Sequence, residues 1–142
     1  MRVLLDTNVV LDLLMEREPF SQLAQKIFLK IESKEIQGFL CPTSVTTLYY
    51  LLRKHLGKKE CNETIQTLLE LLEVTSLDKN ILQESVKNVG SDFEDSVIYT
   101  SASHAHIDII ITRDLSGFKN ASINVMQPHE FLIDVETHHK LA

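Results

Sequence analysis

Several things are scarce or missing in this chain of 142 residues. Its two cysteines, Cys41 and Cys61, are too few and too far apart for a disulfide framework or a zinc site. They are expected to be reduced and structural. The four glycines and three prolines lie scattered, so there is no Gly/Pro-rich linker, and no repeat or low-complexity tract appears. Neither Gly-x-x-x-x-Gly-Lys nor Gly-x-Gly-x-x-Gly occurs, which excludes the phosphate loop and the dinucleotide fingerprint. No apolar run approaches the roughly 20 residues of a membrane span. Met1-Arg2 leads into a strand and not into a signal sequence, so a cytoplasmic protein with no membrane partner is expected. Positive charge is short too: 14 Lys and Arg against 20 Asp and Glu leave a net charge of −6. That balance argues against a general nucleic-acid binder. It leaves room for an enzyme whose carboxylates bind a cation first and a phosphate second.

What is present is an ordinary globular composition, 44% hydrophobic and 24% charged. The length suits one domain, expected over residues 1–135, with a polar tail at 136–142. Arg2–Leu5 reads as a strand buried on both faces, and a short helix follows at Val9–Met15. Phe20–Glu32 is amphipathic, with Leu23, Ile27 and Ile31 in one row. Gly38–Cys41 reads as a second strand ended by Pro42, after which Thr43 or Ser44 caps a helix to about His55. Gly57 stops that helix. Another runs from near Cys61 to Glu73, with Ile65, Leu68, Leu69 and Leu72 inward. Val74–Leu77 is the third strand, and Asp78 caps the next helix. Asp92 caps a longer helix, from Phe93 to about His106. Strands at Ile109–Thr112 and Ile123–Met126 follow, and Pro128 starts a last short helix through Leu132. This alternation predicts a three-layer α/β/α fold around a parallel sheet of four or five strands.

In such sheets the functional crevice lies beyond the carboxyl ends of the strands. Asp6 and Asp114 fall there, each directly after an apolar strand, and Asp95 opens the long helix. Carboxylates are costly to bury unpaired, so three of them converging at one edge call for a shared cation. Oxygen ligands of this kind suit Mg²⁺ or Mn²⁺, which can activate water against a phosphodiester.

Three segments carry a resemblance to a known family. Leu4-Leu5-Asp6-Thr7-Asn8-Val9, Asp92-Phe93-Glu94-Asp95-Ser96 and Ile111-Thr112-Arg113-Asp114 with Phe118 resemble the signature segments of PIN-domain ribonucleases, which include the VapC-type toxins. The middle segment and Leu48-Tyr49-Tyr50-Leu51-Leu52-Arg53 look like a subgroup apart from the toxin norm. The resemblance spans essentially the whole chain. It implies a metal-dependent ribonuclease acting on RNA, a small antitoxin as partner if the chain belongs to such a pair, and a homodimer. It makes Asp6, Asp95 and Asp114 the metal ligands and catalytic acids, and sets Thr7, Asn8 and Thr112 beside them. It also marks two departures: the family usually has a glutamate at about Thr47, and often an acid where this chain has Gly117.

Other residues admit two readings. Asp92 reads first as the helix cap and second as support for the site. Glu94 divides between a solvated helix face and a supporting role. It points roughly 100° away from Asp95, so it cannot share the role of its neighbour. Arg53, Lys54, His55, Lys58 and Lys59 form the one dense basic cluster, suited either to a helix C-terminus or to an RNA backbone. Arg113 and Lys119 could likewise meet a phosphate, although surface charge is the plainer reading. His104, His106, His138 and His139 lack ligand spacing with the acids. Two rival classes stand beside the nuclease. One is a PIN fold with little or no hydrolysis, serving as a nucleic-acid or protein interaction module. The other comprises aspartate- and Mg²⁺-dependent phosphotransfer enzymes, whose second acid is missing here: Asn8 stands two residues after Asp6.

Overall fold

Short apolar strands, each leading into a helix, build a parallel sheet. The computed structural model describes residues 1–90 and 92–141, the last four by backbone alone; the side chains of His138 and His139 lie outside the described residues. Among these the strands are β1 (Arg2–Leu5), β2 (Gln37–Leu40), β3 (Glu73–Val74), β4 (Ile109–Ile111) and β5 (Asn124–Met126), in the order β3-β2-β1-β4-β5. The helices are α1 (Thr7–Leu14), α2 (Phe20–Glu32), α3 (Pro42–Leu56), α4 (Lys58–Leu71), α5 (Lys79–Lys87), α6 (Phe93–His104) and α7 (Pro128–Leu141), with a 3-10 turn at Leu115–Phe118. None is long and apolar enough to cross a membrane.

Successive side chains on a strand point to opposite faces, and the inner strands use both. Val3, Leu5, Ile109, Ile111 and Leu40 face the larger core, with Val9 and Val10 of α1, Ile27 and Ile31 of α2, Leu48 and Leu52 of α3, and Phe131 of α7. Leu4, Ile110 and Phe39 face the other, against Val97, Ile98 and Ala102 of α6. That is the three-layer arrangement expected from continuous apolar runs. Helix α6 is buried on nearly all sides, and its small serines let α5 and the chain after β3 come close. Ser96 Oγ donates to the Ser85 carbonyl at 2.7 Å and Ser101 Oγ to the Ser76 carbonyl at 2.6 Å.

Several boundaries differ from the sequence expectation. Helix α1 starts at Thr7, because Asp6 itself takes the N-cap position. Pro42 opens α3 in place of a Thr43 or Ser44 cap: its fixed φ suits the first helical turn, where a missing N–H costs nothing. Helix α4 begins at Lys58, since Gly57 turns the chain with φ at 80°. Its buried row is Cys61, Ile65, Leu68 and Leu72, and Leu69, expected inward, is 43% exposed. Strand β3 is two residues long. The Thr75-Ser76 stretch expected to continue it is gripped by Ser101 of α6 instead. The last helix passes well beyond Leu132 and takes in residues 136–141.

Candidate metal-binding site

Register brings the first two elements of the site together. Leu5 pairs with Ile111 across β1 and β4, so Asp6 and Thr112 leave the sheet side by side. The Asp6 N–H donates to the Ile111 carbonyl at 2.9 Å. The Asp6 carboxylate is then held from several directions. Thr112 Oγ1 donates to Oδ2 at 2.7 Å, the Thr7 N–H donates to Oδ1 at 2.8 Å, and Asn8 Nδ2 reaches Oδ2 at 3.4 Å. Asn8 also accepts from the Arg113 N–H at 3.2 Å, which ties the loop after β4 to the start of α1. Asp6 is 8% exposed. Burial raises its pKa above the ordinary value. The bonds from Thr112 and Thr7 lower it, and the charges of Asp114 and Asp92 raise it again.

The other acids come from the first turn of α6 and from the 3-10 turn. Asp92 is the cap of α6, accepting from the Asp95 N–H at 2.9 Å, which meets its first reading. It also takes part in the site's electrostatics. The Asp95 carboxyl is pushed up to about 7, first by burial, then by Asp6, Asp92, Glu94 and Asp114. Glu94, although exposed, is raised by burial and by the charges of Asp92 and Asp6, so it belongs to the same cluster. Asp114 differs. Its Oδ1 accepts from Ser116 N at 3.1 Å and Ser116 Oγ at 2.5 Å, bonds that hold its pKa below the usual carboxylate range. One oxygen of Asp114 thus shapes the turn, and the other accepts no hydrogen bond among the described residues.

Every charge acting on Asp95 is negative, the condition of a carboxylate group that wants a cation. The donors are hard oxygens, and the Thr7 hydroxyl beside them is buried without a partner among the described residues. This set fits Mg²⁺ or Mn²⁺ in kind. In the arrangement shown, however, no three acidic, histidine or cysteine side chains among the described residues stand close enough to enclose an ion. The acids lie within electrostatic reach of one another but do not form a closed cage. Charge interaction extends farther than coordination, so the two observations are compatible.

Some expected contributors sit elsewhere. The Arg113 guanidinium, a candidate for RNA, is committed to Asp12, with Nε donating to Oδ2 at 2.6 Å and Nη2 to Oδ1 at 3.1 Å; it also stacks 4.0 Å over Phe20. Asp12 is 1% exposed, and a buried carboxylate binds a guanidinium fork more firmly than surface water does. Sequence reading missed this pair. Its signal was an aspartate inside the apolar face of α1. The basic cluster is distant as well. Helix α3 begins at Pro42, close after the end of β2 beside β1, and rises about 17–18 Å along its axis before Arg53 and Lys54 are reached. Lys58 and Lys59 follow in the first turn of α4. Lys54 covers the Tyr50 ring at 4.4 Å. Thr47, where the family's glutamate was looked for, donates to the Thr43 carbonyl at 3.1 Å.

Comparison with known proteins gives the family and the fold. Residues 2–116 match the family model described as the PIN domain. The chain belongs to the PIN-domain family. It is 24% identical over 135 residues to Ribonuclease VapC1 of Aquifex aeolicus (strain VF5), covering 92% of each protein. A structure of FitAB bound to an IR36 DNA fragment shares its fold with a TM-score of 0.70 at 20% identity, covering 89% of this chain and 94% of the other. A toxin–antitoxin complex from Klebsiella pneumoniae aligns with a TM-score of 0.69 at 19% identity, covering 89% and 97%.

Proposed function

We propose that the chain is a metal-dependent endoribonuclease that hydrolyses RNA phosphodiester bonds with Mg²⁺ or Mn²⁺ held by Asp6, Asp95 and Asp114. The observation that carries this reading is the Asp95 carboxyl, partly buried in the first turn of α6, with only negative charges raising its pKa. Asp6 is the fixed ligand, its orientation set by Thr112, Thr7 and Asn8. Asp95 and Asp114 approach from two other elements, and Glu94 and Asp92 add negative potential around them. A bound divalent cation supplies Lewis-acid stabilisation of the phosphate and acidifies a water for in-line attack. Similarity to a ribonuclease over nearly the full length supports RNA as substrate. Likeness to toxin–antitoxin assemblies supports a small antitoxin as partner, with homodimerisation carried over from the family resemblance alone. Of the basic residues, Arg53, Lys54, Lys58 and Lys59 remain available for RNA backbone contact away from the acids.

A second reading has an observation of its own. Because no three ligating side chains stand together, the fold also suits a weakly catalytic or inactive interaction module. RNA cleavage with Mn²⁺, measured for the parent, Asp6→Asn and Asp95→Asn, decides between them. The nuclease reading expects both variants to lose at least about a hundredfold in rate, as the loss of several kcal/mol of transition-state stabilisation implies. Equal background activity in all three proteins overturns it.

A further inference from the structure

We infer that Gly117 is a positioning residue of the acidic site: its lack of a side chain keeps Asp95 in place, and an acid at 117 weakens the site instead of completing it. The inference rests on the metal-site reading above. A Cβ built on Gly117 lies 1.8 Å from Asp95 Oδ2, 2.7 Å from its Cγ and 3.4 Å from its Cβ. The whole carboxyl group fills that space, not only its tip. Gly117 is not in the left-handed region of φ, so backbone strain does not explain the glycine. Space does.

Any side chain at 117 forces one partner to move. The turn is pinned at both ends. Asp114 accepts two bonds from Ser116, and Phe118, 3% exposed, lies edge-on to Tyr99 at 6.5 Å. The Asp95 carboxylate accepts no hydrogen bond among the described residues, so nothing retains it. Helical backbone allows few χ1 alternatives, and a change of rotamer swings the carboxylate away from its present position. Asp95 therefore yields and the turn stays. The family's acid at this position and the present placement of Asp95 exclude one another, which accounts for the departure at Gly117.

The test is Mn²⁺ binding to the full chain by titration calorimetry, with melting temperature recorded alongside. The parent, Asp95→Asn, Gly117→Ala, Gly117→Asp and the double variant Gly117→Ala/Asp95→Asn are compared. Displacing a group that orients a metal site typically costs about 10–100-fold in affinity. Gly117→Ala and Gly117→Asp are each expected to weaken Mn²⁺ binding about tenfold or more while melting stays close to the parent. Gly117→Ala should add nothing once Asp95 is Asn. Gly117→Ser serves in place of either variant that fails to fold. Parent-like affinity in the Gly117 variants, tighter binding by Gly117→Asp, or an undiminished loss in the Asp95→Asn background overturns the inference. A parent that binds no Mn²⁺ overturns the metal-site reading, and the inference with it.

Discussion

Stripping the protein of divalent cations should make its stability fall as pH rises. The Asp95 carboxyl is held at about 7 against an ordinary 3.8. The folded state therefore binds the proton more tightly than the unfolded chain does. The associated stability is full below the unfolded value and is lost as pH rises through the folded one. The complete displacement sets a ceiling of about 4 kcal/mol. The group is only partly buried, and solvent screening reduces the effect to about 1–2 kcal/mol. Asp6 and Glu94 are displaced in the same direction and add to the slope. Asp114 is displaced the other way, and its contribution is lost only at more acidic pH. Urea denaturation in chelator should show this loss between about pH 4 and pH 7. Asp95→Asn should remove most of the slope and be more stable than the parent at the alkaline end. Mn²⁺ at a hundred times its Kd should stabilise the parent by about 2.7 kcal/mol. A flat profile in chelator, or an Asp95→Asn protein less stable than the parent at high pH, would refute the argument.

Three further outcomes follow from other contacts. Arg113→Ala strands the buried Asp12 with only Arg17 at 3.9 Å, and should cost about 3 kcal/mol in urea melts. Thr112→Val removes the shortest bond to the Asp6 carboxylate and should cost about 1–3 kcal/mol by the same assay, with weaker Mn²⁺ binding. Lys58→Ala with Lys59→Ala should leave cleavage of a short RNA unchanged, because these residues lie far from the acids; a change beyond about tenfold, or 1.4 kcal/mol in barrier, would place the substrate across the helical hairpin.

How far the molecule could be read from its residues depended on how local the cause was. Phe20–Glu32 carries its helix in its own periodicity, and α2 has those bounds. Asp78 and Asp92 announce helices by cap chemistry, and both accept the expected bond. The three acids were visible because each closes a strand or opens a helix. Causes spread across the fold were not legible. The grip of Ser101 on Thr75 and Ser76, which shortens β3, links positions 25 and 26 residues apart. Arg113 gave no sign that its partner lay 101 residues earlier in α1. Gly117 looked like a missing ligand because its reason, the volume of the Asp95 carboxyl, exists only in three dimensions.

Strand β1 is made first and sits in the middle. Asp6 leaves the ribosome before the rest of the site, and the Thr112 hydroxyl that fixes it comes 106 residues later. At roughly 5–20 residues per second the interval is about 5–20 s. A chain interrupted before Asp92 carries only one of the five clustered acids, after a strand that still lacks its β4 neighbour. Loop closure over that separation comes late in folding as well. The order of the elements therefore delays the site until β4 and the turn after it have been made.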